Sequence, residues 1–302
     1  MSKQKLDRMV VSIGNLTVGG TGKTPATIAL AKEALRRQLM PCILTRGYKG
    51  TKLGSCFVLP DSDVKTVGDE PVLMASKLQG VPIIKGKNRY AAGLIAKEAD
   101  FFILDDGFQH FKLHRDVDIL LVDGKRGFGN GRLLPFGPLR EPLGELRRAD
   151  FVLITKTNDA GQCNLLRKFP KERIFTANHT PAYLINNKGT LYPLKDLLGK
   201  TVFAFCAIAA PLAFKESLIS IGANIVGFKT FKDHYKYSLR DIESILKLSK
   251  SINAELVITT EKDMVKIKEY AKNMLALSIE FSVSNVFYEK VFEKINNREK
   301  PF

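Results

Sequence analysis

Residues 17–24 read Thr17, Val18, Gly19, Gly20, Thr21, Gly22, Lys23, Thr24. Glycines at these spacings let a backbone turn its N–H groups inward onto an anion, and a helix starting just behind adds the positive end of its dipole. Lys23 can reach the β and γ phosphates of a nucleoside triphosphate, and the Thr24 hydroxyl can ligate Mg²⁺. The segment departs from the phosphate-loop pattern GxxxxGK[ST] at one place, because Thr17 stands where the pattern has its first glycine. The plain alternative is a glycine-rich turn with a chance Lys-Thr pair. The order strand, loop, helix around it argues for the phosphate loop. Such a loop binds nucleotide and leaves the reaction open.

A site of this kind needs an acidic residue at the end of an apolar strand to hold the magnesium. Phe-Phe-Ile-Leu ending in Asp105 and Asp106 fits, and so does Ile-Leu-Leu-Val ending in Asp123. The adjacent pair beside Gly107 is preferred, since two carboxylates can share metal and water duties. Asp123 reads more simply as a strand-end turn residue. A guanine-specific switch carries Asn/Thr-Lys-x-Asp after a late strand; here Thr155, Lys156, Thr157 and Asn158 place an amide where the acid belongs and Asp159 stands one residue late, a near miss that leaves a GTPase as the minority reading. A nucleic-acid motor stacks bases on aromatics interleaved with basic residues. The chain has no Trp and no such interleaving, so nucleic acid is not an expected partner. A small-molecule kinase remains, and it needs a general base and cations around the transferred phosphate.

These residues must be carried by elements, and the hydrophobic pattern supplies them. Residues 9–13 form a β-branched strand, 26–37 a helix with Pro25 in its first turn, and 42–45, 101–104, 117–122 and 151–155 further strands, with a helix over 90–98. Repeated β–α–β units imply a mostly parallel sheet with helices on both faces, the P-loop NTPase type of α/β fold. Two short strands around Asn-Asn-Lys-Gly near residues 181–194 read as a hairpin. Beyond it, strands at 202–207, 224–228, 256–259 and 277–283 alternate with helices at 212–221, 239–249 and 286–295. The expected organisation is therefore a kinase domain over 1–180, a β-hairpin linker over 181–198 and a smaller α/β domain over 199–302.

The 302 residues carry a formal net charge of +16, which favours an anionic partner: nucleic acid, acidic lipid or a phosphorylated substrate. No run of basic residues marks a nucleic-acid tail. The longest apolar run, residues 202–214, is too short to span a bilayer and contains Pro211. The charged start MSKQKLDR is not a secretory signal, so a cytoplasmic location is expected. Cys42, Cys56, Cys163 and Cys206 show no metal-ligand spacing and read as idle thiols.

Seven strings stand in order: IGNLTVGGTGKTP, TRGY (45–48), VGDEP (67–71), DDGFQH (105–110), FGNGRLLPFGPLREP (128–142), DHY (233–235) and TEKD (260–263). Together they resemble the tetraacyldisaccharide 4′-kinase family, which phosphorylates the 4′-hydroxyl of the lipid A disaccharide precursor with ATP and Mg²⁺. The resemblance implies that residues 17–24 cradle ATP in the family's own variant of the loop. It implies Asp69 as catalytic base with His234 as its partner, and Asp105, Asp106 and Glu141 around Mg²⁺. Arg46 and Arg140 become candidates for phosphate contacts, and Tyr48 for the cleft wall. Gln109 and His110 either touch the nucleotide or brace the loop. From the residues alone, His234 is a surface histidine, Asp69 a helix N-cap and Tyr48 equally a core residue. With base and histidine on different domains, activity would require closure about the hairpin.

The family also implies a membrane glycolipid as substrate and a peripheral place on the anionic, cytoplasmic side of the inner membrane; no obligate protein partner is evident. Two departures stand out. Members begin with an amphipathic N-terminal helix, of which MSKQKLDR shows no sign, so either the start is placed late or basic surface residues dock the protein. Residues 207–211 read AIAAP, with alanines where the family tends to have glycines, which restricts that loop.

Overall fold

The apolar runs around the glycine-rich segment form strands buried on both faces, as parallel strands covered by helices must be. The structure, a computed structural model, describes residues 3–48, 50–156 and 169–298. It divides into two compact units, one running to His179 and taking up the chain again at Phe281, the other Thr180–Glu280.

In the first unit β1 (Met9–Gly14) pairs in parallel with β5 (Phe101–Asp105) on one side and β6 (Val117–Asp123) on the other. Beyond β5 lie β2 (Pro41–Thr45), β4 (Ile83–Lys85) and the short antiparallel β3 (Cys56–Phe57); beyond β6 lie β7 (Phe151–Thr155) and the start of β8 (Ile174–Asn186). The chain thus winds outward in both directions from β1. At such a reversal the carboxyl ends of the strands leave a crevice for ligands. Helix α1 (Lys23–Arg36) follows β1 directly, with Leu30, Ala31 and Ala34 buried on the face its spacing predicts. The short α2 (Val64–Val67) leads into α3 (Asp69–Lys77). The helix expected over 90–98 is shorter, α4 (Arg89–Leu94), with Gly93 in its last turn weakening its continuation.

The last helix, α8 (Asn285–Arg298), corrects the expected boundaries. It belongs to the first unit and not to the second. Its aromatics explain why: Phe292 stacks on Phe101 at 5.5 Å, and Phe287 meets Phe151 at 6.0 Å and Phe175 at 5.3 Å. Burying two such rings contributes roughly 1.5–3 kcal/mol each.

In the second unit the strand order is β11-β10-β12-β13-β8, built from β10 (Thr201–Cys206), β11 (Asn224–Thr230), β12 (Leu256–Thr260) and β13 (Met274–Val283). Neighbours from β11 to β13 are parallel. Helices α5 (Pro211–Ser220), α6 (Leu239–Ser251) and α7 (Glu261–Ile267) fill the crossovers, with apolar clusters around Phe214 and Leu218 and around Ile245 and Ile267. The predicted hairpin is present: β8 turns through residues 186–189 into the antiparallel β9 (Leu191–Tyr192). It is not a separate linker, because Leu184 and Leu197 are buried in the core of the second unit. Among the described residues no helix is long and apolar enough to cross a membrane.

Candidate active site

Asn15, at the carboxyl end of β1, organises the glycine loop from beneath. Its amide donates to the Thr17 carbonyl at 2.8 Å and to Thr21 Oγ1 at 3.0 Å, and its Oδ1 accepts from Lys23 Nζ at 3.2 Å. Gly19 has φ 110° and Gly22 φ 92°, conformations that penalise a side chain. Gly22 also caps α1 without a side-chain bond, so the first amides of the helix are left for an anion. The loop backbone is anchored on its outer side too, where Thr155 Oγ1 donates to the Thr21 carbonyl at 3.1 Å and Lys156 Nζ to that of Gly20 at 2.7 Å.

The two carboxylates at the end of β5 behave differently. Asp106, half-buried and at φ 50°, lies 3.5 Å from Lys23 Nζ and accepts two bonds of 3.0 Å from Arg140. Burial alone would raise its pKa, but Lys23 and Arg140 outweigh it and hold the carboxyl below its ordinary value. Asp105 is buried, accepting from Thr45 Oγ1 at 2.9 Å and Thr27 Oγ1 at 3.4 Å. Burial, with the charges of Glu70 and Asp106, pushes it up to about 7 against the pull of Lys23. Asp123, the alternative strand-end acid, braces a turn: it accepts the Lys125 and Arg126 amides at 3.1 Å each and pairs with Lys156 at 2.6 Å.

Of the other predicted residues, Arg140 joins this cluster and also meets Gln109 Oε1 at 3.4 Å, while the Gln109 amide donates to the Asn15 carbonyl at 3.0 Å. Gln109 is therefore a brace of the loop. Glu141 is not gathered with Asp105 and Asp106: its carboxylate is bound by Arg148. Among the described residues no three His, Cys, Asp or Glu side chains come together as a metal cluster. Asp69 opens α3, buried, its Oδ1 accepting the Glu70 amide at 3.0 Å; the N-cap is Gly68. A Cβ on Gly68 would stand 2.9 Å from the Tyr48 carbonyl, so the loop carrying Arg46 and Tyr48 packs onto the start of α3. Arg46 and Tyr48 are exposed, which excludes a core role for the tyrosine. His110 is half-buried, its pKa brought down to about 4 by burial and by Arg89, Arg115 and Arg46.

In the second unit, His234 sits at φ 59° with its amide donating to the Ala207 carbonyl at 3.2 Å and its Nε2 3.2 Å from Lys262 Nζ. Asp263 is fully buried; it accepts the Ala207 amide at 2.9 Å and Thr260 Oγ1 at 2.7 Å, and pairs with Lys266 at 2.5 Å. The strings DHY, TEKD and AIAAP thus meet at the carboxyl ends of β10, β11 and β12.

Residues 1–296 match the family described as LpxK, tetraacyldisaccharide-1-P 4'-kinase. The chain belongs to this family. The tetraacyldisaccharide 4'-kinase of Syntrophus aciditrophicus is 39% identical over 96% of this chain and 84% of its own length, and that of Desulfotalea psychrophila 40% identical over 88% and 80%. A crystal structure of the "apo" form of LpxK from Aquifex aeolicus in complex with ATP superposes with a TM-score of 0.79 at 34% identity, covering 98% of this chain and 90% of that one. The fold is accordingly that of an LpxK kinase, and the family match covers residues of both units.

Three residues of this LpxK-family site carried no sequence signal of their own. Arg126 places Nη1 3.7 Å from where a Cβ on Gly19 would stand, adding a cation beside the loop. His179 presses its ring against Gly22, whose Cβ would fall 2.5 Å from Nε2, and stacks edge-on to Phe281 at 5.2 Å. Burial, aided by Lys156, brings its pKa down to about 4, so the ring is neutral beside the loop. Asn15 lies inside the family string, but its role appears only with its bonds. Thr157, Asn158, Asp159 and Cys163 lie outside the described residues.

Proposed function

We infer that the chain transfers the γ-phosphate of ATP to the 4′-hydroxyl of tetraacyldisaccharide 1-phosphate, the lipid A precursor. Membership of the LpxK family and likeness to a relative in complex with ATP support the reaction. The observation that carries it is the convergence of Lys23, Arg140 and Asp106 at the mouth of the glycine loop.

The loop amides and the α1 N-terminus bind the phosphates, while Lys23 and Arg140 offset the charge that develops on the transferred group. Thr24 and Asp106, with Asp105, would hold Mg²⁺, which when bound would offset the negative charge of the phosphates. This donor set fits a cation that takes one or two carboxylates plus substrate phosphates. Asp106 is held anionic, and the raised pKa of Asp105 marks a buried carboxyl short of positive charge. Glu141, bound by Arg148, is left out of the set.

Asp69 accepts the proton of the 4′-hydroxyl as that oxygen bonds to the γ-phosphorus and the bond to the ADP oxygen breaks. A carboxylate is a weak base for an alcohol proton, and His234 serves as the partner that orients Asp69 or passes the proton on. Arg46 and Tyr48 offer a donor and a ring to the sugar phosphate of the acceptor. The acceptor resides in a membrane, and the +16 chain binds its anionic cytoplasmic surface peripherally.

The test is incubation with radiolabelled ATP, Mg²⁺ and tetraacyldisaccharide 1-phosphate in mixed micelles. The expected result is a bisphosphorylated lipid labelled on the distal sugar. An unlabelled lipid alongside ready labelling of an unrelated alcohol overturns the reading.

A further inference from the structure

The loop that leaves β6 and runs over residues 124–142 has two ends of opposite character. At one end it is part of the site: the Val18 amide donates to the Pro138 carbonyl at 2.8 Å, Thr17 bridges Leu139, and Arg140 holds Asp106 at 3.0 Å. At the other end it turns three large apolar side chains to solvent, with Leu133 44%, Leu134 53% and Phe136 78% exposed. The tip is not slack. The Leu134 amide donates to the Leu139 carbonyl at 2.9 Å, the Phe136 amide to that of Leu133 at 2.9 Å, and the Asn130 side-chain amide to the Phe136 carbonyl at 2.9 Å. The backbone therefore holds a hydrophobic tip outward in one shape, the opposite of what burial in the protein's own core would select.

Charge chooses the occupant. Lys125, Arg126 and Arg132 are exposed on the same loop, and no acidic residue stands between Asp123 and Glu141. An apolar tip on a stretch of chain whose charged side chains from 124 to 140 are all cations suits the interface of an anionic bilayer, where the ring and chains enter the acyl boundary and basic side chains such as Arg132 stay with the headgroups. A second copy of this +16 chain would set like charges against each other. We propose that Leu133, Leu134 and Phe136 insert into an anionic lipid surface and so seat the phosphate-loop unit on the membrane. The benefit of such seating rests on the lipid-kinase reading above; the insertion itself does not.

The chain contains no Trp, so Phe136→Trp supplies a single fluorophore at the tip. Vesicles of equal parts phosphatidylglycerol and phosphatidylethanolamine should shift its emission to the blue, and brominated acyl chains should quench it. Phosphatidylcholine vesicles should do so weakly. Leu94→Trp, on the exposed side of α4, should not respond. Leu134→Ser with Phe136→Ser should lower vesicle co-sedimentation by at least ~10-fold while ATP still raises the melting temperature, which shows that the fold and the loop survive. No ATP or acceptor is needed for the binding assay, so an inactive protein that inserts leaves the inference standing. An active one whose Phe136→Trp fluorophore ignores anionic vesicles overturns it. A blue shift that grows with protein concentration in the absence of lipid assigns the tip to self-association and overturns it as well.

Discussion

The two units each place a loop between a buried parallel strand and a helix, residues 15–22 after β1 and residues 207–210 after β10, yet the loops have opposite chemistry. In the first, Gly19 and Gly22 adopt positive φ and Lys23 stands over Asp106. In the second, alanines occupy the turn, none of residues 207–210 has positive φ, and the Ala207 amide is already taken by Asp263 at 2.9 Å. The first loop opens its helix without a side-chain cap, while the second gives its Ala207 amide to a carboxylate from its own unit. Topology makes a loop available at a strand end, and only the residues decide what it holds.

The largest effect that could break this comparison is catalytic. Lys23→Ala should lower kcat by ~10²–10³-fold, because a cation aimed at the transferring phosphate is lost. Asp69→Asn should cost ~10²-fold or more through loss of the base. Both variants should unfold at close to the parent temperature. Steady-state kinetics on the lipid acceptor check this, and a Lys23→Ala enzyme with unchanged turnover would remove the phosphate loop from the chemistry.

Next comes stability in the second unit. Asp263→Ala strands the Lys266 ammonium and the Ala207 amide in a buried site, and breaking such a pair costs about 3–5 kcal/mol. Urea unfolding should show the loss. The ATP dissociation constant should stay within about twofold if the glycine loop alone binds nucleotide. A large loss of ATP affinity would mean that the second loop shares the ligand.

A third effect lies on Asp105. Its folded pKa, about 7, exceeds the ordinary value of 3.8. The folded protein therefore holds a proton that the unfolded chain releases, and the associated stability, complete below pH ~4, is lost as pH rises through ~7. Asp105→Asn keeps the shape without the titration. In the presence of a metal chelator it should become more stable than the parent by about 4 kcal/mol at pH 8, and the gap should nearly close at pH 4. Parallel pH profiles for parent and variant would show that Asp105 is not starved of positive charge.

Much of this was readable from residues in order. The run 9–13 followed by glycines and Lys23 is local information, since strand, turn and helix start each have their own composition, and β1 and α1 lie where that pattern puts them. The reading of Asp123 as a strand-end turn residue also rests on local cues, and Asp123 does brace a turn. What was hidden depends on contacts between distant residues. Nothing near His179 shows that its ring will lie on Gly22. The resemblance alone puts Glu141 at the metal, and its ion pair with Arg148 depends on how the following turn folds back. The apolar face of α8 shows that it is buried but not on which unit, and Phe101 and Phe151 decide that through packing.

The smallest effect concerns how helices begin. Helix α6 is closed by a reciprocal cap: Ser238 Oγ accepts the Asp241 amide at 3.2 Å, and Asp241 accepts the Ser238 amide at 2.8 Å. Helix α1 has no side-chain cap at all. If the open start of α1 serves the nucleotide and the closed start of α6 serves only its own helix, the two should respond to ATP independently. Ser238→Ala should then lower unfolding free energy by about 1 kcal/mol, both with and without ATP. Paired denaturation curves at saturating and zero ATP measure the difference directly. A cost that disappears when ATP is added would show that the cap and the ligand stabilise the same element, and the contrast between an open and a closed helix start would no longer separate the nucleotide site from the rest of the chain.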